Sequence, residues 1–136
     1  MTDAPQGSFY LTRPDVLLRL EAVLALVVEC TAYQRVYPGQ WGMFTLMFLV
    51  PDLSLLGYLH SAGKNSAGFY NLVHSYMLPL ALGLLAWKQG LPIAGQLALI
   101  WLAHISFDRL LGFGLKFPGI FRYTHIQGAV EPGLKP

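Results

Sequence analysis

His104 and Asp108 stand i, i+4 within "HISFDRLLGFGLKFP", a spacing that on a helix turns both side chains to one face. His74 sits in "YNLVHSYMLP", where Tyr70, Asn71, His74 and Ser75 make a polar face at helical spacing. Asp52 follows Pro51 in "PDLSLLGY". Two imidazoles with two carboxylates, or three if Glu21 joins, form a mixed nitrogen and oxygen ligand set. It suits a divalent metal, zinc first, then manganese or ferrous iron. A bound ion of this kind lowers the pKa of water from 15.7 to about 7 and polarises a carbonyl or phosphoryl oxygen. Hydrolysis is therefore the chemistry expected. Whichever of Glu21, Asp52 and Asp108 is not coordinated would serve as general base or acid. Arg109 would hold a carboxylate in place or receive an anionic substrate group, and Lys116 would assist it. Tyr58, Tyr70 and Asn71 flank the cluster and are candidates to line the substrate.

Each of these residues has a plainer reading. A lone His74 is a hydrogen-bonded core histidine, His104 with Asp108 is a helix-stabilising pair, and Glu21 pairs with Arg19 or Arg109. Glu29 reads as interfacial, His60 and His125 as solvated, and Cys30, the only cysteine, as an inert core residue. What favours a shared site is that the polar residues must be satisfied together in a very apolar chain.

The chain has 136 residues, 54% hydrophobic and 12% charged, with a mean hydropathy of +0.48, against roughly 25% charged residues in an average globular domain. The apolar residues fall into blocks at 15–33, 40–59, 69–87 and 92–113, each close to the roughly 20 residues that cross a bilayer. The stretches "YPGQWG", "HSAGKNSAG" and "KQGLP" separate them. The expected fold is a single all-α integral membrane domain, a four-helix bundle with residues 114–136 as a cytoplasmic tail. "GMFTLMFLV" and "LPLALGLLAW" are apolar around the whole helix, which argues against the alternative of a water-facing bundle. Pro51 and Pro79 fall inside spans and invite kinks.

With four spans, Arg13, Arg19, Lys64, Arg109, Lys116, Arg122 and Lys135 share one side, against Arg35 and Lys88 on the other. That asymmetry places both termini in the cytoplasm of a multi-pass inner (plasma) membrane protein. No cleavable leader is visible in "MTDAPQGSFYLTRP". The net charge of +2 is too small to argue for nucleic acid, so the expected partner is membrane lipid. Glu21, Asp52, His74, His104 and Asp108 then fall at one depth in the cytoplasmic half of the bilayer, where each ionisable group costs at least about 2.5 kcal/mol unless partnered.

"PDLSLLGY", "YNLVHSYMLP", "HISFDRLLGFGLKFP" and "THI", after an "LRLE" opening, resemble the small bacterial membrane proteins of the domain of unknown function 4260 family. That resemblance spans roughly Leu17 to Ile126 and implies no activity. A more distant one is to the membrane-bound metal-dependent hydrolase family, with its Pro-Asp pair, its His-Ser pair and a later His-x-x-x-Asp followed by glycines and a proline. It implies metal-site roles for Asp52 after Pro51, for His74 before Ser75, and for His104 with Asp108, followed by Gly112, Gly114 and Pro118. The chain departs from that pattern at Ser54, where a second acid is expected, and at Tyr70, where an extra histidine is expected, which argues against a second metal ion. The expected function is a membrane-embedded metal-dependent hydrolase of a lipid ester or phosphoester near the cytoplasmic leaflet. The alternatives are an ion or proton path or structural helix bundle, the transport version requiring a homo-oligomer, and a haem-binding electron-transfer protein with His74 and His104 as axial ligands.

Overall fold

Pro14 opens the first helix, α1 (Pro14–Val36), where its missing N–H is one of those a first turn leaves unbonded. Asp15 complements that end and is paired with Arg13 at 3.1 Å. The computed structural model describes residues 13–53 and 64–115, and within them four further helices: α2 (Trp41–Phe48), α3 (Lys64–Val73), α4 (Met77–Gln89) and α5 (Pro92–Leu111). The broadest interface joins α1 to α5; α4 packs on α5 next, then α2, while α3 touches chiefly α4. Helix α5 is the centre of the molecule. It buries Gln96, Ala98, Ile100 and the run Ala103 to Ser106.

Helices α1 and α5 run antiparallel. Near one end the Tyr37 hydroxyl donates to the Pro92 carbonyl at 2.8 Å, and the Gln96 amide donates to the Tyr33 hydroxyl at 2.8 Å. At the other end Gly112 lies beside Arg19, so close that a Cβ there would come within 2.9 Å of the guanidinium. Gly112 has φ +89°, the left-handed conformation that closes a helix at least cost with glycine. The amide of Phe113 donates to the Asp108 carbonyl at 2.8 Å, and that of Gly112 to the Arg109 carbonyl at 3.1 Å. Two carbonyls of the last turn are satisfied in this way.

The expectation of four membrane spans is overturned: among the described residues no helix is long and apolar enough to cross a membrane. Four local causes are visible. Helix α1 carries Asp15, Arg19, Glu21, Glu29 and Arg35 along its length. Helix α2 has 8 residues, roughly 12 Å at 1.5 Å per residue against a hydrocarbon core of about 30 Å. The expected third span, 69–87, is broken at residues 74–76 into separate helices. Helix α5 has 20 residues but holds Gln96, His104, Asp108 and Arg109. With the spans go the inferences that rested on them: cytoplasmic termini, a multi-pass inner-membrane location, a lipid partner, and hydrolysis of a lipid ester or phosphoester in the bilayer. Residues 54–59 of the expected second span and all but the first two of the expected tail lie outside the described residues.

Candidate metal centre

The side chains that meet come from three breaks or ends in the helical pattern. Asp52 lies in the turn that follows α2, where tight bonds run from Val50 N to Met47 O, Asp52 N to Leu49 O and Leu53 N to Val50 O. Pro51 has no N–H to continue α2, so the chain turns and carries Asp52 with it. His74 lies in the break between α3 and α4. Pro79 causes that break: it has no N–H for the Ser75 carbonyl and its ring crowds that carbonyl, so α4 restarts at Met77. His104 and Asp108 stand on one face of α5, one turn apart.

Several contacts pin the break to α5. Trp101 donates from Nε1 to the Val73 carbonyl at 2.8 Å, and the Tyr76 and Ser106 hydroxyls share a hydrogen bond of 3.0 Å. The Tyr70 ring stacks on His74 with centroids 3.9 Å apart and planes 16° from parallel. On the other flank Phe48 meets His104 edge to face at 5.3 Å and Phe107 at 5.6 Å, which holds the end of α2 against α5.

One donor atom each from Asp52, His74, His104 and Asp108 lies within 4.8 Å of the other three. Both Nε2 atoms face both carboxylates. His74 Nε2 is 3.8 Å from Asp52 Oδ1 and 3.6 Å from Asp108 Oδ2, and His104 Nε2 is 3.5 and 3.6 Å from the same two atoms. These separations are too long for hydrogen bonds and near the roughly 3.4 Å edge of a tetrahedron with 2.0–2.1 Å metal bonds. The imidazoles are buried, while the Asp52 side chain is 46% exposed. The buried Asp/His cluster is capable of coordinating a divalent metal, and its open side is at Asp52.

The nitrogens are in the form a metal requires. His74 Nδ1 lies 3.1 Å from the Tyr70 carbonyl; an N–H there donates to it and leaves Nε2 with its lone pair toward the carboxylates. Burial pushes the His74 imidazole below its ordinary pKa, against the pull of the Tyr70 carbonyl and the Asp52 charge. His104 is likewise pushed down by burial, opposed first by Asp52 and then by the Phe48 carbonyl. Both shifts favour the neutral imidazole. The Tyr70 hydroxyl is pushed well above its usual range by burial and by Asp108 and Asp52, and it stays a phenol.

The other residues singled out in the sequence fall elsewhere. Glu21 is exposed on α1 and lines a separate cavity with Arg109. Arg109 lies with its guanidinium 4.2 Å over the Tyr76 ring, and it also lines a small cavity with His74 and Asp108. Tyr70 is buried and Asn71 half-buried on α3. Tyr58, Lys116, Ser54, Pro118, His60 and His125 lie outside the described residues. Glu29, expected at an interface, is buried instead. Its place was readable: Ala22, Glu29 and Tyr33 recur at helical spacing on the face of α1 that is buried. The supports Trp101, Tyr76 and Ser106 carried no comparable mark.

The two carboxylates also bear on haem. Asp52 and Asp108 place oxygens within 3.8 Å of both Nε2 atoms, in the space a porphyrin plane between two axial histidines would need. A family model described as Domain of unknown function (DUF4260) matches residues 15–129 of this chain. Neither the curated proteins nor the solved structures give a match.

Proposed function

Because the chain belongs to that family, whose description names no activity, we propose a function from the residues themselves: the protein binds one divalent transition-metal ion, zinc first, through Asp52, His74, His104 and Asp108. The observation that carries this reading is a set of buried imidazole nitrogens without hydrogen-bond partners. His74 Nε2 and His104 Nε2 have none among the described residues, yet both face the same two carboxylates. Buried polar atoms are nearly always satisfied, and an orphaned group calls for an explanation such as an ion. A metal at the centre of the four donors supplies it for the two Nε2 atoms at once.

The donor set favours zinc, manganese or ferrous iron over magnesium, because half of it is imidazole nitrogen. The exposure of Asp52 supports a site that retains a water-accessible position rather than one sealed for purely structural use. A metal held there would supply a polarising charge and a water of lowered pKa. Tyr70 supports His74 through its ring and its carbonyl, and Arg109 stays outside the ligand set.

Metal content of protein purified without added metal, followed by zinc titration of the stripped protein, tests the reading. About one equivalent is expected in the wild type and in Arg109→Ala, whereas His104→Ala should lose metal on purification and more than about tenfold in affinity, beyond the lower bound for losing an outer-sphere partner. Equal metal content in wild type and His104→Ala, with both folded by circular dichroism, would overturn it.

A further inference from the structure

A cavity of about 260 Å³ lies between α1, α4 and α5, apart from the four metal donors, and Glu21, Ala25, Glu29, Tyr76, Leu102 and Arg109 are among its walls. Its polar groups are unevenly placed. Glu29 is 91% buried, being 9% exposed, and its Oε2 has no hydrogen-bond partner among the described residues. A carboxylate in that position is costly unless something pairs with it. The nearby Ser106 hydroxyl favours the charged form without offsetting the effect of burial, and that hydroxyl is itself shared with Tyr76 at 3.0 Å.

The opposite end of the cavity is cationic. Arg109 lies flat over Tyr76, a stacking that leaves its in-plane N–H fork available to a carboxylate. The antiparallel register, Arg19 beside Gly112 and Tyr37 beside Gly95, puts Arg109 near the level of Ala22 and Glu29 near that of Leu102. At 1.5 Å per residue the backbones of Arg109 and Glu29 are offset by about 10 Å along the helices, and both side chains reach into the cavity between those levels. Between them the walls are Ala22, Ala25, Leu80 and Leu102. Glu21 stands exposed at the cationic end, where water screens it.

We infer that this cavity is a second ligand site, which takes a short linear zwitterion: its ammonium group lies against the Glu29 carboxylate, its carboxylate against the Arg109 guanidinium, and its methylene chain along the alanine and leucine wall. The ammonium gives Glu29 the partner it lacks. The side chains of Glu29 and Arg109 take up part of that offset, so the ligand they bracket is short. The site does not depend on the metal, since neither Glu29 nor Arg109 is among the proposed ligands.

Isothermal titration of the whole chain with 5-aminopentanoate, 6-aminohexanoate, glycine, pentanoate and pentylamine tests this. At least one of the three zwitterions should bind at least about tenfold more tightly than either one-ended probe, a difference of about 1.4 kcal/mol. Glu29→Gln should remove that advantage while leaving metal content as in the wild type. Glu21→Gln should change it by less than about threefold, as expected for a screened, exposed charge. The inference is overturned if no probe binds, if pentanoate or pentylamine matches the zwitterions, or if Glu29→Gln binds them as the wild type does. Should Glu29→Gln fail to fold, the wild-type ranking of the probes decides alone.

Discussion

A carboxyl group inside a helical interface is a different chemical object from one at its rim, and Glu29 and Glu21 illustrate the difference on a single helix. Glu21 is exposed, whereas Glu29 is buried and held above the ordinary carboxylate range by desolvation, with the Ser106 hydroxyl opposing the shift. The sign of the consequence follows from linkage. An acid whose folded pKa is raised binds more protons folded than unfolded, so its contribution to stability is full below the unfolded value of 4.5 and is lost as pH rises through the folded value. Glu29→Gln carries no such loss. Urea denaturation from pH 4 to pH 8 should therefore show the variant gaining stability relative to the wild type as pH increases. A constant difference across that range would mean that Glu29 is solvated. The residue also marks how far the sequence could be read at this scale. The i, i+4 spacing of His104 and Asp108 was legible, because a helix converts spacing into a shared face. That Asp52 and His74 would face the same pair followed from the family resemblance and from the need to satisfy buried charge together, not from spacing, because neither residue shares a helix with that pair.

At the level of elements the ends matter more than the middles. Pro14, Pro79 and Pro92 set where helices start or restart, and Gly90 and Gly112, at φ +66° and +89°, close α4 and α5. These residues stand in the sequence as punctuation, but the sequence does not show how far each of them shortens its helix. Pro79 reads as a kink within a span, yet it leaves α3 and α4 with 10 and 13 residues and puts His74 just past the end of α3, its N–H still bonded to the Tyr70 carbonyl at 2.9 Å. Gly112 offers a clean test of this level. A side chain there must adopt left-handed backbone, costing roughly 1–2 kcal/mol, and its Cβ would meet Arg19 at 2.9 Å, although the arginine is long and can move. Gly112→Ala should lower stability by about 1 kcal/mol or more in urea denaturation. It should also weaken metal binding less than His104→Ala does, because Asp108 lies within the last turn rather than beyond it. Unchanged stability would show that the end of α5 does not require the left-handed residue.

Taken whole, the molecule shows why hydropathy alone misled. An apolar content of 54% is distributed around the helices as well as between them, so that Leu24, Val28 and Trp87 are 67%, 67% and 82% exposed, and blocks of the right length for spans are cut by turns. What survived from the sequence is the all-helical class and the concentration of chemistry at a few polar positions; what did not survive depended on unbroken length. The same breaks define the most global prediction. The proposed ligands come from the turn after α2, the break before α4 and the face of α5, and among the described residues α3 packs chiefly on α4. An ion bound to all four donors would tie these segments together in the folded chain, whereas the unfolded chain presents no assembled site. Binding to the folded state alone stabilises it by about 2.7 kcal/mol at a free metal concentration of 100 times Kd. Zinc added to stripped protein should thus raise the urea midpoint without changing the slope, and amide exchange in α3 and at residues 74–76 should slow by more than exchange in the middle of α1. Asp52→Asn, which weakens a donor on the open side of the cluster, should lose most of that gain while keeping the metal-free stability of the wild type. Superimposable denaturation curves with and without zinc would mean that the four residues are a buried polar lock without an ion.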